Sequence, residues 1–334
     1  MKIITEKKQW NEGIKSFPFW DVSHLWGYHE AFRLRDPSFE AKLFLFECEQ
    51  GRLAYPFCLK KLSLHPEYSE KGENRFYLDT VYGHVGPLYE GDSVEKIWQA
   101  CEKDFRQYCE DENIVLIQER FHPVYQNQIK LFPESQVYEK RKLVVCTTLD
   151  FENLYHTTHR KNRRYLRMAK ENDLQFIQAG IEEIDDFLAL YYDTMERNQA
   201  EEVFYFEKEF FVFLHEELQE LFTLFFCYKD GKRINGTISL HSPTSGIGFV
   251  MGNDRNYRKY NLGFVSAANF LDYFNTIDMS KLIVGGGNTT ALDDPMLRSK
   301  MKYTQEEPVS FYVGKTVLWP ELEEGDFYGN STLD

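Results

Sequence analysis

The sequence contains no paired cysteines of the C-x-x-C kind. Its six cysteines, Cys48, Cys58, Cys101, Cys109, Cys146 and Cys227, stand singly and far apart. That spacing argues against a disulfide framework or a zinc site and predicts free thiols in a reducing compartment. No window approaches the roughly 18 uncharged apolar residues of a membrane span. The first ten residues, Met1 to Trp10, are interrupted by charge where a signal peptide needs an apolar stretch, so the expected location is cytoplasmic. Positive charge is also scarce: 39 Lys and Arg face 53 Asp and Glu, a net charge of −14. Broad binding to DNA is therefore not expected, while a local phosphate contact remains open. There is no G-x-S-x-G elbow and no G-x-x-x-x-G-K-[ST] loop. The run His215-Glu216-Glu217-Leu218-Gln219 ends in Gln where a zinc protease needs a second His.

Aromatic residues are plentiful, with 28 Phe and 21 Tyr. Most are expected in the core, with Tyr hydroxyls available to line a polar pocket. Apolar spacing predicts a helix over 18–34, strands over 42–48 and 53–62, a loop at Tyr82–Leu88, a helix over 93–110 and a buried strand at 114–117. The second half repeats the plan. Helices are predicted over 160–171, 183–198 and 207–221, strands over 221–228, 234–241 and 246–253, a helix over 262–276 and a strand over 281–284. A strand over 142–149 joins the halves with no Pro/Gly/Ser-rich linker. The expectation is an α/β (α+β) fold of two similar, tightly packed domains with mixed sheets, 1–150 and 151–334.

Four segments could carry chemistry. Arg160, Arg163, Arg164 and Arg167 share one helical face, with Lys161 and Lys170 beside them. Arg forks fit phosphate oxygens; the plain alternative is a solvated face paired with Glu171 and Asp173. Arg258-x-x-Asn261-x-Gly263 lies between a strand and a helix, where free N–H groups suit a donor's phosphates, unless the segment is simply a connecting loop. Gly285-Gly286-Gly287 follows a buried strand and leads to Asp293, Asp294 and Lys300. A Lys there could stabilise a tetrahedral oxyanion and an Asp could take a proton, though helix capping ahead of Pro295 also explains the acids. Finally, Tyr82, His84 and Gly86 sit in a Gly/Pro loop that could hold an acceptor or form a structural turn. His156 and His159 share helical spacing without the company a metal site needs.

Taken in order, Tyr82–Pro87, the basic helix at 160–170, Asn253–Gly263 and Gly285–Gly287 followed by Lys300 and Tyr303 resemble the Fem-type aminoacyltransferases and the wider Fem-related, GNAT-like acyltransferases. The resemblance spans roughly 80–315. It implies two tandem GNAT-like domains and transfer of an acyl or aminoacyl group to an amine without a covalent enzyme intermediate. It implies no permanently bound cofactor and a donor that is either aminoacyl-tRNA or acyl-CoA. The acceptor it implies is a small-molecule or lipid-linked envelope precursor, a peptidoglycan peptide or polysaccharide amino sugar, and a tRNA contact would accompany the first donor. Lys300 falls where the family has the lysine of a Phe-Lys pair, with Ser299 in place of Phe. Asn261 stands where acetyl-CoA enzymes of the GNAT class usually have Gly. The long helical arm of many Fem proteins has no counterpart. An acyl-CoA-dependent N-acetyltransferase and a non-catalytic precursor-binding domain are the competing readings.

Overall fold

The computed structural model describes residues 1–71 and 74–322. The chain divides into two compact units, Met1–Lys140 together with the segment from Phe311, and Arg141–Ser310. The expected division at residue 150, with everything beyond it in the second domain, is displaced at both ends.

Unit 1 begins with β1 (Lys2–Ile4), α1 (Lys7–Lys15), α2 (Trp26–Arg35), β2 (Phe39–Cys48), β3 (Gly51–Lys61) and β4 (Phe76–Asp79). After β5 (Leu88–Gly91) come α3 (Val94–Asp111) and β6 (Ile114–Arg120), and β7 (Gln136–Thr147) runs across the unit boundary. Unit 2 continues with α4 (Phe151–Thr157), α5 (Arg160–Glu171), β8 (Gln175–Ala179), α6 (Ile184–Arg197), α7 (Lys208–Leu218), β9 (Phe222–Lys229), β10 (Lys232–His241) and β11 (Ser245–Asn253). Then follow α8 (Leu262–Thr276), β12 (Lys281–Gly286) and α9 (Pro295–Lys300), and β13 (Val309–Val317) returns the chain to unit 1.

The duplication expected from pattern is present in topology. Unit 1 runs β1-α1-α2-β2-β3-β4-α3-β6, and unit 2 runs β8-α6-α7-β9-β10-β11-α8-β12. In each, three antiparallel pairings lead to one parallel pairing, β4 with β6 and β11 with β12. The sheets are mixed because the helix after the fourth strand is a crossover that brings the next strand back parallel. The last strand of each sheet is exchanged along the chain. Leu143–Thr147 of β7 pairs with β12, and Val313–Val317 of β13 pairs with β6. That exchange sets the boundaries near 140 and 310.

Each crossover helix anchors a core. On α3, Ile97, Trp98, Cys101, Phe105 and Tyr108 fall on one stripe and pack against Tyr55, Phe57 and Phe121, with Ser93 capping the first turn at Lys96 N. On α8, Phe264, Val265, Ala268, Leu271 and Phe274 pack against Val144, Leu166 and Leu282. The helix predicted over 18–34 is broken. Asp21 caps a short 3-10 turn at Val22–His24, and Leu25, in extended backbone, separates that turn from α2. All six cysteines are free thiols, five of them buried. Among the described residues no helix is long and apolar enough to cross a membrane.

Candidate active site in unit 2

The parallel ladder of β11 and β12 is short. Ser245, Gly246 and Ile247 pair with Lys281, Leu282 and Ile283, and there the pairing stops. Each strand bulges just beyond. The β10 register shifts opposite Phe249, and the β7 register shifts opposite Val284. A bulge bends its strand and re-aims it, so the two C-terminal halves part. A Cβ at Gly248, on the rim of the gap, would find open space. Ligands of open α/β sheets sit at the carboxyl ends of parallel strands, where neighbouring connections diverge.

Lys300, the last residue of α9, stands over this gap. A Cβ on Gly285, whose φ is +86°, would lie 2.5 Å from Lys300 Nζ. Only glycine supplies both that backbone conformation and the room for the ammonium. Burial, and after it the positive charge of Arg141, pulls the Lys300 pKa down to about 8. Among the described residues it has no carboxylate partner. A partly buried cation left unpaired is a functional signature, because structural lysines normally gain a counter-charge. The other two glycines serve packing. A Cβ on Gly286 would fall 2.0 Å from the Lys142 carbonyl, and one on Gly287 would fall 2.7 Å from Asp294 Cγ.

Asp294 is the helix cap. Oδ1 accepts from Met296 N and Leu297 N, and Oδ2 accepts from Asn288 N and Thr289 Oγ1. Those bonds, led by the one from Leu297, hold its pKa below the ordinary value, which makes it a poor proton acceptor. Asp293 is exposed on the loop leading into α9.

The junction after β11 forms a 3-10 turn, Arg255–Tyr260, and then Asn261 at φ +52°, ψ +58°. Asn is one of the few residues other than Gly that enters this left-handed region readily. Asn261 therefore keeps the backbone path that Gly would take. Its carbonyl accepts from Phe264 N and Val265 N, while the Leu262 and Gly263 N–H groups of the first α8 turn meet no acceptor among the described residues. Tyr303 packs edge-on against Phe264 with centroids 5.0 Å apart, and its hydroxyl lies 3.8 Å from a Cβ position on Gly263. Burial pushes the Tyr303 hydroxyl up to about 12. One short segment thus reaches Gly285 through Lys300 and the start of α8 through Tyr303. Arg258 is exposed on the turn.

The basic helix is anchored at the same segment. The Lys302 carbonyl accepts from Thr158 Oγ1, His159 N and Asn162 Nδ2. Arg163 turns back to donate to the carbonyls of Thr158 and His156. His159 caps α5 by accepting from Lys161 N. Arg164 and Arg167 are exposed, and Asp173 is engaged by the Gln175 side chain instead.

In unit 1 the Tyr82–Pro87 loop is fastened through its backbone carbonyls. Tyr28 donates to the Tyr82 carbonyl, Ser23 to that of His84, and Asn127 to those of Val85 and Pro87. Gly86 has φ +70°, and a Cβ there would strike the Asn127 amide at 2.6 Å. His84 is buried, its ring 4.7 Å from Phe311, and Tyr82 is half-buried. Sequence reasoning missed two features here. Arg120 at the end of β6 donates to Asp79 Oδ1 and to the Thr80 carbonyl at the end of β4. Glu119 is buried and pushed up to about 8 by burial, which the hydrogen bond from Tyr55 only partly offsets. It helps to line a cavity of about 70 Å³ with Gln118, Phe311 and Gly314. An acid next to a buried apolar strand was the available signal, hidden because the strand was expected to end at Ile117.

Residues 155–290 match the family model for an acetyltransferase (GNAT) domain. No curated protein matches the sequence. The fold is that of the crystal structure of FemX, with a TM-score of 0.69 and 13% identity over 95% of this chain and 98% of that one. A conserved protein of unknown function from Bacteroides thetaiotaomicron is similar with a TM-score of 0.59, 12% identity, and coverage of 94% and 99%. The C-terminal domain of a putative lysylphosphatidylglycerol synthetase from Agrobacterium fabrum follows with a TM-score of 0.54, 11% identity, and coverage of 95% and 94%.

Proposed function

We propose that unit 2 is an acyltransferase site that moves an acyl or aminoacyl group from an activated donor to an amine of a cell-envelope precursor. The observation that carries the reading is Lys300, an unpaired and partly buried amine over Gly285, where β11 and β12 part. The match of residues 155–290 to the acetyltransferase model and the FemX fold support it. The envelope acceptor comes from the Fem-type resemblance.

The incoming amine attacks the acyl carbonyl, and the negative charge on the tetrahedral oxygen falls to the Lys300 ammonium. Collapse of the intermediate breaks the thioester or ester bond and releases the donor's thiol or ribose hydroxyl, which takes up a proton as it leaves. With a pKa of about 8, Lys300 is mostly protonated at neutral pH, and its partial burial strengthens that interaction relative to water. Donor phosphates are assigned to Arg258 and the free N–H groups of Leu262 and Gly263, with Asn261 holding the turn. Arg164 and Arg167 are exposed on the outer face of α5. Asp293 is the carboxylate left to receive the amine's proton, since Asp294 is committed to capping.

A thermal-shift screen with acetyl-CoA, longer acyl-CoA thioesters and aminoacyl-tRNA tests the reading, because a bound donor raises the melting temperature by mass action. Stabilisation by a CoA thioester would make the protein an N-acyltransferase of the acyl-CoA kind, and stabilisation by charged tRNA alone would make it Fem-type. Silence across all donors would contradict the proposal.

A further inference from the structure

The inner side of α5 is buried through Asn162, Leu166 and Ala169, and the helix packs on α8. Its other side presents Arg160, Lys161, Arg164, Arg167 and Lys170 to solvent. Among the described residues none of the five has a carboxylate partner, in a chain with 53 acids against 39 bases. Six other cations of unit 2 are neutralised within the chain. Arg197, Lys208, Lys229, Lys232, Arg233 and Lys281 each pair with an Asp or Glu. The 3-10 turn before α8 extends the unpaired surface. It is fixed to α5 by a hydrogen bond from Tyr260 to Asn172, and it exposes Arg255 and Lys259. Five like charges along about 18 Å of helix repel one another. An external anion would relieve that repulsion.

We propose that this face of unit 2 docks on anionic lipid headgroups at a bilayer surface. Clusters of Lys and Arg suit the anionic headgroups of a bilayer, and one observation favours a bilayer over a nucleic acid. The outward residues of α5 include no exposed aromatic ring on which a base could stack. The helix does not insert, because its apolar side is already buried in the core of unit 2. The contact is electrostatic, short in range and weakened by salt. It does not rest on Lys300, Arg258 or Asn261, although Arg255 and Lys259 lie on the same turn as Arg258.

The test is co-flotation of the full chain with vesicles of phosphatidylcholine alone and of an equimolar mixture with phosphatidylglycerol, at low and high salt. The expected result is binding to the mixed vesicles only, lost at high salt. With Arg160→Ala, Arg164→Ala and Arg167→Ala combined, affinity should fall about 100-fold. The melting temperature checks that the variant folds; should it not fold, the Lys161→Gln, Lys170→Gln variant is read for a smaller fall in the same direction. No flotation with phosphatidylglycerol, or unchanged binding by a folded variant, overturns the proposal. Salt-sensitive binding to a structured RNA with no response to vesicles would also overturn it and make the face a nucleic-acid surface.

Discussion

At the end of β4, in unit 1, Arg120 reaches from β6 to Asp79 and Thr80, and Val85 adds a parallel bridge to Phe121. At the corresponding end of β11, in unit 2, the ladder stops at Ile247 and Ile283, both strands bulge, and Lys300 stands over Gly285. The two units have the same order of strands and helices, so topology alone does not make a site. What differs is the chemistry at the parting of the parallel strands. Unit 1 fills that place with an ion pair and a fastened loop, and its charges satisfy one another. Unit 2 keeps a cation without a partner and a helix start with free N–H groups. The same frame is tied across in one copy and left parted in the other.

The first way to break this comparison is to remove the tie in unit 1. Asp79→Ala leaves Lys60 and Arg120 without their shared carboxylate, in surroundings where those side chains are only 12% and 17% exposed. Loss of a partner from such a buried pair costs about 3–5 kcal/mol, readable by chemical denaturation. A loss below about 1 kcal/mol would mean that the ion pair is not what closes the gap.

Next in size is the pair of adjacent glycines on β12. Gly285→Ala places a methyl against Lys300 Nζ at a positive φ, and displacing a catalytic group by about 1 Å lowers transfer about 100-fold. Gly286→Ala drives a methyl into the Lys142 carbonyl, so its first effect is on stability. Equal effects of the two on transfer at unchanged folding would remove the special place given to Gly285.

The units also differ in their response to pH. Glu119 in unit 1 is raised from 4.5 to about 8. Between those values the native state holds a proton that the unfolded state has released, so stability falls as pH rises through the window. Lys300 in unit 2 is lowered from 10.5 to about 8. In its window the unfolded state holds the extra proton, and stability rises with pH. Glu119→Gln should flatten the lower slope and leave the upper one, as followed by melting temperature against pH. An unchanged lower slope would contradict the neutral Glu119.

The smallest effect is expected at Asn261. Asn261→Gly should change stability by no more than about 0.5 kcal/mol and leave donor-induced stabilisation intact, because both residues accept the left-handed backbone. A large loss of donor stabilisation would show that the Asn side chain itself binds the donor.

Much of the frame was legible in the sequence. The helices over 160–171 and 262–276 were read at their true limits, because apolar residues recur at helical spacing and the ends are marked locally. The duplication was visible as a repeated pattern of hairpin, helix and strand. The strand exchange was not, because the Val313–Arg120 and Leu282–Cys146 pairings join residues far apart in sequence and leave no local periodicity. The glycine run was readable as three glycines after a buried strand, and the family resemblance singled out Lys300 among the lysines beyond it. The distinct tasks of Gly285, Gly286 and Gly287 depend on which atoms approach each Cβ position. The four-residue spacing of the Arg helix was readable, but its lack of acid partners was not.

The most direct test of the central claim is acyl transfer by Lys300→Ala, using whichever donor stabilises the wild-type protein. Loss of an oxyanion-stabilising group should lower the rate by about 100- to 1000-fold, while the donor still raises the melting temperature as before. Wild-type turnover in a folded Lys300→Ala protein would contradict the account and remove unit 2's unpaired cation from the reaction.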